Sequence, residues 1–553
     1  MNTSATGRKT GNGGGATAVP DVDAVVVGAG FAGLYMLHRL RGMGLSVQVF
    51  ERGSGVGGTW YWNRYPGARC DSDSVEYSYQ FSDALQQEWR WTERYPGQPE
   101  ILRYLEHVAD RFDLRRDIRF ETTVTEAVFD HAAGCWRIAT EDGTRLSATY
   151  CIMATGCLSA VNRPAFDGLD RFEGAWYHTG AWPHEKVSFA GQRVGVVGTG
   201  SSAIQAIPLI AAEAEHLTVF QRQPNYTIPA RNGPLDEAEY AAVRANYGEL
   251  RRRAKQTATG SWWHPNPATA AEMSTEERQR EMEARWQKGG LSFYGVFDDV
   301  LANGEANGIA TEFIRSKIRE QVRDPDLAAR LSPHSYMGCK RICLDTDYYE
   351  TFNRPNVTLV DISDAPIEEI TPAGLRTGGK EYAFDTIVFA IGFDAMTGPL
   401  LRIDIRGAGG QPLREKWADG PRTYLGVAVA GFPNLFTVTG PTSPSVLTSM
   451  VPTIEQHVEW ISDCITHARA CGRPHIEATR EAEDAWMAHH EEVAATTLFP
   501  SCNSWYVGAN VPGKPRTVTP YTGGFSTYIE KCDAVVANGY EGFTLTAAQA
   551  AVT

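Results

Sequence analysis

The sequence contains no run of apolar residues as long as the roughly 18 that a membrane-spanning helix requires. It also lacks an excess of basic charge, because 52 Lys and Arg residues face 66 Asp and Glu residues, which gives a formal net charge of −14. Such a chain has no basic field to attract nucleic acid or an anionic membrane. We therefore expect neither of them as a partner.

The ten cysteines are scattered along the chain and include no CxxC pair. Two-dinucleotide flavoproteins that reduce disulfides need a redox-active cysteine pair, so this chemistry is not expected. Cys339 and Cys343 are the closest two, and without companion His or Cys residues their spacing makes a poor metal site. We expect no metal, reduced thiols and a cytoplasmic location.

Two glycine-rich turns lie 170 residues apart, and each follows a short apolar run and opens into a segment with helical character. They read Gly28-Ala-Gly30-Phe-Ala-Gly33 and Gly198-Thr-Gly200-Ser201-Ser202-Ala203. A strand, a tight turn and a helix N-terminus in this order direct backbone N–H groups and the helix dipole at a pyrophosphate. A protein that binds two dinucleotides can pass electrons between them.

The residues about twenty positions after each turn distinguish the two predicted sites. The strand after the first turn ends in Glu51, whose carboxylate suits an adenosine ribose and would repel a 2′-phosphate. The strand after the second turn ends in Gln221, and Arg222 follows it. A guanidinium there suits a 2′-phosphate, although Arg222 could also be a solvated surface charge. The first site is therefore predicted to bind FAD or NAD, and the second NADP.

At 553 residues the chain is too long for one compact core. The predicted fold class is α/β, with two Rossmann-like dinucleotide-binding domains and a helical insertion. Residues 1–20 are rich in Gly, Thr and Ala and predict a disordered tail. The predicted boundaries are 21–157 and 396–553 for the FAD domain, 158–228 and 339–395 for the NADP domain, and 229–338 for the insertion.

The stretch between the two turns carries a longer motif, with Phe172, Gly174, His178, Trp182 and Pro183 at its specified positions. This pattern resembles FxGxxxHxxxW(P/D), the fingerprint of type I Baeyer–Villiger monooxygenases, and is similar to the phenylacetone and steroid monooxygenase branch. The resemblance runs from Asp23 onward. It is carried also by residues 57–71, 340–345 and 505–513.

The resemblance implies that NADPH reduces the flavin and that O2 then gives a C4a-peroxyflavin. This species attacks a ketone through a tetrahedral adduct, and an ester or lactone results. Such chemistry needs a fixed cation near the flavin. Arg341 matches the family's catalytic arginine, and Asp71 matches the carboxylate that orients it. Lys340 resembles a second contact to the 2′-phosphate.

Further residues carry roles that only the resemblance implies. Gly57, Gly58, Thr59 and Trp60 would approach or line the flavin. Trp505 is similar to a tryptophan that closes over nicotinamide and substrate, with core packing as the competing interpretation, and His178 fits a residue that positions domains better than an acid or base. The implied substrate pocket, for which ordinary apolar core is the alternative, comprises Cys157, Leu158, Leu447 and Met450. Thr442, where relatives tend to have glycine, could alter the width of that pocket.

Two other functions remain open at this point. A flavin monooxygenase that oxidises sulfur or nitrogen would share both dinucleotide sites, but it gives less reason for Trp182 and Arg341. A nonenzymatic nucleotide-binding redox protein would keep the glycine turns and have no use for an Arg341–Asp71 pair. The partners expected on the main interpretation are a small-molecule ketone and O2, in a monomer or small homo-oligomer.

Overall fold

A computed structural model describes residues 19–547, so almost the whole predicted tail lies outside the described residues. The strands in this range are β1 (Val22–Val27), β2 (Val47–Phe50), β3 (Ile118–Arg119), β4 (Val124–Asp130), β5 (Cys135–Thr140), β6 (Arg145–Met153), β7 (Ala175–His178), β8 (Arg193–Val197), β9 (His216–Gln221), β10 (Thr227–Pro229), β11 (Cys343–Asp345), β12 (Val357–Asp361), β13 (Ile367–Thr371), β14 (Gly374–Thr377), β15 (Lys380–Ala383), β16 (Thr386–Phe389), β17 (Asp404–Arg406), β18 (Leu435–Thr437), β19 (His475–Ala478) and β20 (Phe543–Thr546).

The α-helices in the same range are α1 (Phe31–Gly42), α2 (Thr59–Trp62), α3 (Asp83–Glu88), α4 (Gln98–Arg111), α5 (Ser201–Glu213), α6 (Glu237–Ala245), α7 (Tyr247–Ala254), α8 (Thr275–Lys288), α9 (Gly304–Gln321), α10 (Pro325–Leu331), α11 (Tyr348–Thr351), α12 (Gly398–Leu401), α13 (Leu413–Lys416), α14 (Met450–Ala470), α15 (Arg480–Ala495) and α16 (Phe525–Ala537). No helix among the described residues combines the length and apolarity needed to cross a bilayer.

The first large sheet has the order β17-β4-β5-β6-β1-β2-β3, and β18 also pairs with β6. Strands β1, β2, β3, β6 and β18 run parallel, whereas β5 pairs antiparallel with both β4 and β6. The core of β1 is fully buried, as expected for a strand covered on both faces. Because β17 and β18 join this sheet, the chain returns to its first sheet after residue 400.

The second sheet is wholly parallel and has the order β12-β9-β8-β16-β7. Helix α5 crosses from β8 to β9, which makes the same strand–turn–helix unit that α1 makes between β1 and β2. Along the chain, helices α6 to α10 come after β9 and before β12, which are both strands of the second sheet. This is the region where the sequence predicts an insertion. The predicted α/β class with two Rossmann-like units is confirmed, while the domain boundaries stay a prediction.

Candidate active site

The first glycine turn connects β1 to α1 and leaves no room for side chains. Gly28 has a φ of +105°, and a Cβ there would stand 2.6 Å from the carbonyl oxygen of Ala154. A Cβ on Gly33 would stand 1.8 Å from the carbonyl oxygen of Gly28. Helix α1 begins after Gly30 with no side-chain cap and no acidic residue in its first turn. Its first backbone N–H groups are therefore available to an anion such as a pyrophosphate.

The carboxylate of Glu51 lies beside this turn, at the end of β2. Its Oε2 accepts a hydrogen bond from Ala29 N and its Oε1 from Gly53 N, each at 2.7 Å. Burial raises the pKa of Glu51, and these backbone hydrogen bonds oppose the rise. The carboxylate is thus fixed at the edge of the turn, where its remaining lone pairs can accept from ribose hydroxyls.

A second close approach of backbone borders the same turn. Gly58 has a φ of +54°, and a Cβ there would lie 2.9 Å from Gly30 Cα. Gly57 precedes it at a φ of +131°. Thr59 is exposed at the start of α2, whereas Trp60 is buried and donates its indole N–H to Tyr77 Oη at 3.1 Å. The narrow cradle between Gly30 and Gly58 suits a flat or phosphate-bearing ligand that needs backbone contact.

The second glycine turn repeats this geometry between β8 and α5. Gly198 has a φ of +112°, and a Cβ there would lie 2.4 Å from the carbonyl oxygen of Ala390. Helix α5 begins after Gly200 and again lacks a side-chain cap and an acidic first turn. Ser201 is exposed, while the hydroxyl of Ser202 lies 3.0 Å from that of Thr179. Both turns therefore fit a dinucleotide.

Two cations converge beyond the second turn. Arg222 follows the end of β9, and Lys340 Nζ donates to Gln223 Oε1 at 3.2 Å. The pKa of Lys340 is lowered by burial and by the charge of Arg222. Within residues 19–547, neither cation has a carboxylate within 4.0 Å. Two neighbouring positive charges without an acidic partner are well placed to bind a phosphate group.

Arg341 and Asp71 form an ion pair, although they are 270 positions apart. Arg341 Nη2 donates to Asp71 Oδ1 at 3.0 Å, and Arg341 Nε donates to Asp71 Oδ2. The third contact is from Arg341 Nη1 to the carbonyl oxygen of Val446 at 2.8 Å. Burial works to lower the pKa of Arg341, but the Asp71 carboxylate raises it above its usual range. The guanidinium is therefore a permanently charged group in a fixed orientation.

Four predicted pocket residues lie in one apolar cluster next to this ion pair. We call it the Arg341-side cluster, and Trp505 belongs to it as well. Its members are Cys157, Leu158, Ala395, Met396, Val446, Leu447, Met450, Phe499, Trp505, Tyr506 and Val518. Val446 joins the cluster to the guanidinium through its carbonyl oxygen. Thr442 lies elsewhere: its hydroxyl accepts from Trp486 Nε1 at 3.0 Å and bonds the Thr423 hydroxyl. The influence of Thr442 on the width of the pocket stays a prediction.

The tryptophan of the fingerprint connects the two dinucleotide units. Trp182 is buried, and its backbone N donates to the carbonyl oxygen of Trp62 at 3.3 Å. Trp62 is the last residue of α2, the helix that follows Gly58. Pro183 comes directly after Trp182 and is half-buried. The backbone hydrogen bond therefore ties the fingerprint to the cradle beside the first glycine turn.

The other fingerprint residues lie along β7 and just before it. Phe172 packs over Gly174, where a Cβ would lie 2.6 Å from the Phe172 ring. His178 ends β7, and its Nδ1 accepts from Gly180 N at 3.0 Å. Burial lowers the pKa of His178 to about 4. A neutral, buried His178 fits the positioning role better than that of an acid or base.

Known proteins resemble this chain over nearly its whole length. The model of the Pyridine nucleotide-disulphide oxidoreductase family matches residues 25–232. A Baeyer-Villiger monooxygenase of Pseudooceanicola batsensis is 43% identical over 524 residues, which cover 94% of this chain and 95% of the relative. The chain belongs to the Baeyer–Villiger monooxygenase family. This membership confirms the prediction of a flavin monooxygenase that uses FAD and NADPH.

Two further relatives bear on the reaction of this family member. A solved structure described as oxidized steroid monooxygenase bound to NADP has 52% sequence identity and a TM-score of 0.91, and the match covers 95% of this chain and 99% of that one. A phenazine N-monooxygenase of Lysobacter antibioticus is 44% identical, over 95% of this chain and 97% of the relative. Overall similarity is therefore shared with proteins of more than one reaction type, and the geometry of the site has to decide between them.

Three features of the site were not predicted from the sequence. Tyr294, from the predicted insertion, accepts the backbone N–H of Ile342 at 2.7 Å and so supports the stretch that carries Arg341. The carbonyl of Val446 is a contact that any residue could supply. Cys339 and Cys502 form a disulfide, so the expectation of reduced thiols throughout is wrong for this pair. Among the described residues the other eight cysteines are free.

Proposed function

We propose that the protein uses NADPH and O2 to insert one oxygen atom beside the carbonyl carbon of a small ketone, which gives an ester or lactone. The observation that carries this proposal is the Arg341 guanidinium, held by Asp71 at the edge of an apolar cluster. When bound, FAD supplies the activation of O2 and NADPH supplies the hydride. The two uncapped glycine turns and the Arg222–Lys340 pair fit these two cofactors.

Arg341 has N–H groups that are free to donate hydrogen bonds to the reacting oxygen atoms. A guanidinium carries five N–H groups. Two of those on Arg341 are directed at Asp71 and one at Val446, and the other two have no acceptor within the described part of the chain. Addition of oxygen to a ketone carbon places negative charge on the former carbonyl oxygen. Two free N–H groups on a fixed cation would stabilise that oxyanion.

The same stretch serves the nicotinamide cofactor. Lys340 extends toward Gln223 while its neighbour Arg341 extends toward Asp71, so the two side chains reach different parts of the site. Lys340 and Arg222 would hold the 2′-phosphate that distinguishes NADPH from NADH. The ring of Trp505 lies in the Arg341-side cluster and would border both nicotinamide and substrate.

The ketone would bind against Cys157, Leu158, Leu447 and Met450 of that cluster. A pocket with apolar walls separates ketones by shape only modestly, so we infer a broad substrate range. We also infer that the protein acts in the cytoplasm as a monomer or small homo-oligomer, without nucleic acid or membrane as a partner.

Sulfur or nitrogen oxygenation is the second candidate function. The observation in its favour is the 44% identity to a phenazine N-monooxygenase. That reaction transfers an oxygen atom to a lone pair on sulfur or nitrogen, and no carbonyl oxygen becomes an oxyanion. It therefore gains little from a guanidinium beside the substrate. Replacement of Arg341 separates the two reactions, because it removes a group that only one of them needs.

The experiment compares the Arg341→Ala variant with the wild type on a cyclic ketone and on a thioether, with products quantified by mass spectrometry. Removing an oxyanion donor costs about 10²- to 10³-fold in rate, so the ratio of lactone to sulfoxide should fall by a factor of that order. Arg193→Ala, which alters an exposed ion pair, is the control and should leave the ratio unchanged. Equal losses of both products in the Arg341→Ala variant would refute the assignment, as would a wild type that oxidises no ketone.

A further inference from the structure

The Cys339–Cys502 disulfide joins two stretches that border the active site. The cysteines are 163 positions apart in sequence, and their Cα atoms lie 5.2 Å apart. Cys339 immediately precedes Lys340 and Arg341, and Cys502 lies three residues before Trp505. One covalent bond therefore connects the stretch that carries both cations to the stretch that carries Trp505.

The two sides of this bond differ in how firmly they are held. On the Cys339 side, Met337 N donates to Asn307 Oδ1 at 2.9 Å, and Ile342 N donates to Tyr294 Oη at 2.7 Å. Both acceptors belong to the helical region that separates β9 from β12 along the chain. These contacts fix the stretch around Cys339 on either side of the cysteine.

The other side is irregular chain, which we call the C-terminal segment (residues 499–518). Its regular structure consists of two short 3-10 turns, Phe499–Ser501 and Trp505–Val507. It is tied farther along by Asn510 Nδ2, which donates to the carbonyl oxygen of Phe393 at 2.7 Å, and by Lys514 Nζ, which donates to Asp394 Oδ1 at 2.7 Å. The disulfide thus fastens the part of the segment that precedes Trp505. Thr519 N also donates to Tyr506 O at 2.9 Å, and His490 Nε2 bonds Val518 O at 2.8 Å, so the part with few ties is residues 500–505. Stretches with few ties are the first to open locally.

We propose that Cys339 and Cys502 form a redox-controlled clasp that holds the C-terminal segment against the Arg341 stretch when oxidised and releases it when reduced. Both cysteines are buried, but Cys502 lies between two exposed residues, Ser501 and Asn503. A local fluctuation of this short stretch therefore suffices to bring the cystine to solvent. Disulfides in reducing compartments are usually transient and redox-sensing, which fits a bond placed at an active site.

The redox step is thiol–disulfide exchange with an external dithiol. One thiolate of the dithiol attacks a sulfur of the cystine, the Cys339–Cys502 bond breaks, and a mixed disulfide forms. The second thiolate of the dithiol then displaces the remaining cysteine sulfur. The two protons of the dithiol end on Cys339 and Cys502, and the dithiol leaves as a disulfide. Closure is the reverse reaction with an external disulfide as the oxidant.

The first test counts thiols in the purified holoenzyme, denatured without reductant and treated with an alkylating maleimide. Intact mass should show eight modified cysteines, and ten after treatment with a dithiol. Ten modified cysteines without reductant, in protein that has been exposed to an excess of oxidised glutathione, would overturn the proposal. Peptide mapping identifies the pair as Cys339 and Cys502.

The second test measures release of the segment by limited proteolysis of the native holoenzyme with NADP⁺ present. Cleavage beside Trp505 or Arg516 should become about tenfold faster on reduction, which corresponds to about 1.4 kcal/mol of local stability. The Cys339→Ser and Cys502→Ser variants should be cleaved at the faster rate whether or not a dithiol is present. Cys471→Ser, which removes an exposed free thiol, should keep both the slow rate and the response to the dithiol.

Equal cleavage rates for oxidised and reduced wild-type protein would refute the clasp, and this comparison needs no variant to fold. The consequence for cofactor binding rests on the proposed function: reduction should speed dissociation of NADP⁺, because it releases the segment that carries Trp505, which would border the nicotinamide. Alkylation and proteolysis report on the clasp even if no ketone is oxidised. Conversely, ketone turnover by the wild type supports the proposed function even if the tests refute the clasp. Failure of one proposal can therefore be distinguished from failure of the other.

Discussion

Replacement of Asp71 by Asn tests whether the carboxylate is what orients Arg341. The change keeps the size of the side chain but removes its charge and replaces one acceptor oxygen with an N–H donor. In the wild type the two carboxylate oxygens accept from Nε and Nη2 of Arg341. The variant can accept only one of these bonds, and its amide would confront the other donor. The contact from Arg341 to the Val446 carbonyl remains.

The magnitude follows from the number and type of bonds lost. A hydrogen bond to a charged group contributes about 1.5–3 kcal/mol, and a neutral one about half as much. One bond is lost and the other keeps the charge of its donor but loses that of its acceptor, so the free energy that orients the guanidinium falls by about 2–4 kcal/mol. Asp71 and Arg341 side chains are only 22% and 26% exposed, so solvent compensates for little of this loss. At 1.4 kcal/mol for each factor of ten, turnover should fall by roughly 30- to 700-fold.

The assay follows bleaching of the flavin by NADPH in a stopped-flow instrument without oxygen, and ester formation at steady state. The matched control is Asp385→Asn, because Asp385 and Arg193 also form a bidentate pair, at 2.8 and 3.2 Å, but with side chains 45% and 48% exposed. An exposed pair contributes about 0.2–1 kcal/mol, so this control should stay within about fivefold of the wild type. If Asp71→Asn behaves like the control, the ion pair does not position Arg341 and the reasoning fails.

Two further predictions concern the dinucleotide site and the fingerprint. Arg222→Ala, and likewise Lys340→Ala, should raise the KM for NADPH by about tenfold to a hundredfold, the loss of one charge-assisted phosphate contact, and leave the KM for NADH almost unchanged; equal losses for both cofactors would place the 2′-phosphate elsewhere. His178 has its pKa lowered by burial from 6.5 to about 4. The unfolded chain therefore takes up a proton first as the pH falls, and the free energy of unfolding should drop by up to about 3 kcal/mol from this group between pH 6.5 and 4. His178→Gln should flatten that drop in denaturant titrations, and an unchanged acid-side slope would contradict the assignment.

The sequence predicts those parts of the site that depend on local pattern. Gly28 and Gly198 could be identified because a tight turn between a buried strand and a helix demands a positive φ and tolerates no Cβ. Glu51 and Arg222 could be assigned to different nucleotides because each lies at a fixed distance from its turn. For the positive φ and the two nucleotide assignments, the physical cause lies within about twenty-five residues of the position it explains, whereas the carbonyls of Ala154 and Ala390 that exclude a Cβ are distant in sequence.

Features that depend on distant contacts could not be predicted in this way. The acceptor on Val446 is a backbone carbonyl, which carries no signal in residue type. Tyr294 supports Ile342 from a helical region whose packing leaves no periodic trace at residue 294. Cys339 and Cys502 have no short spacing that would mark a pair. The hydrogen bonds of Thr442 to Thr423 and Trp486 also join residues distant in sequence, and the departure from the family pattern at this position does not indicate them.

Three consecutive residues carry the contacts that bring these distant parts together. Cys339 is bonded to the C-terminal segment, Lys340 extends to Gln223 on the side of the second glycine turn, and Arg341 binds Asp71. A displacement of this short stretch therefore changes the dinucleotide phosphate site, the oxyanion donors and the position of Trp505 at the same time. Because cores and interfaces adopt discrete arrangements rather than deform smoothly, these three changes should occur together. Hydride donation and oxygen insertion, which occur at different points of the cycle, thus depend on the same short stretch of chain.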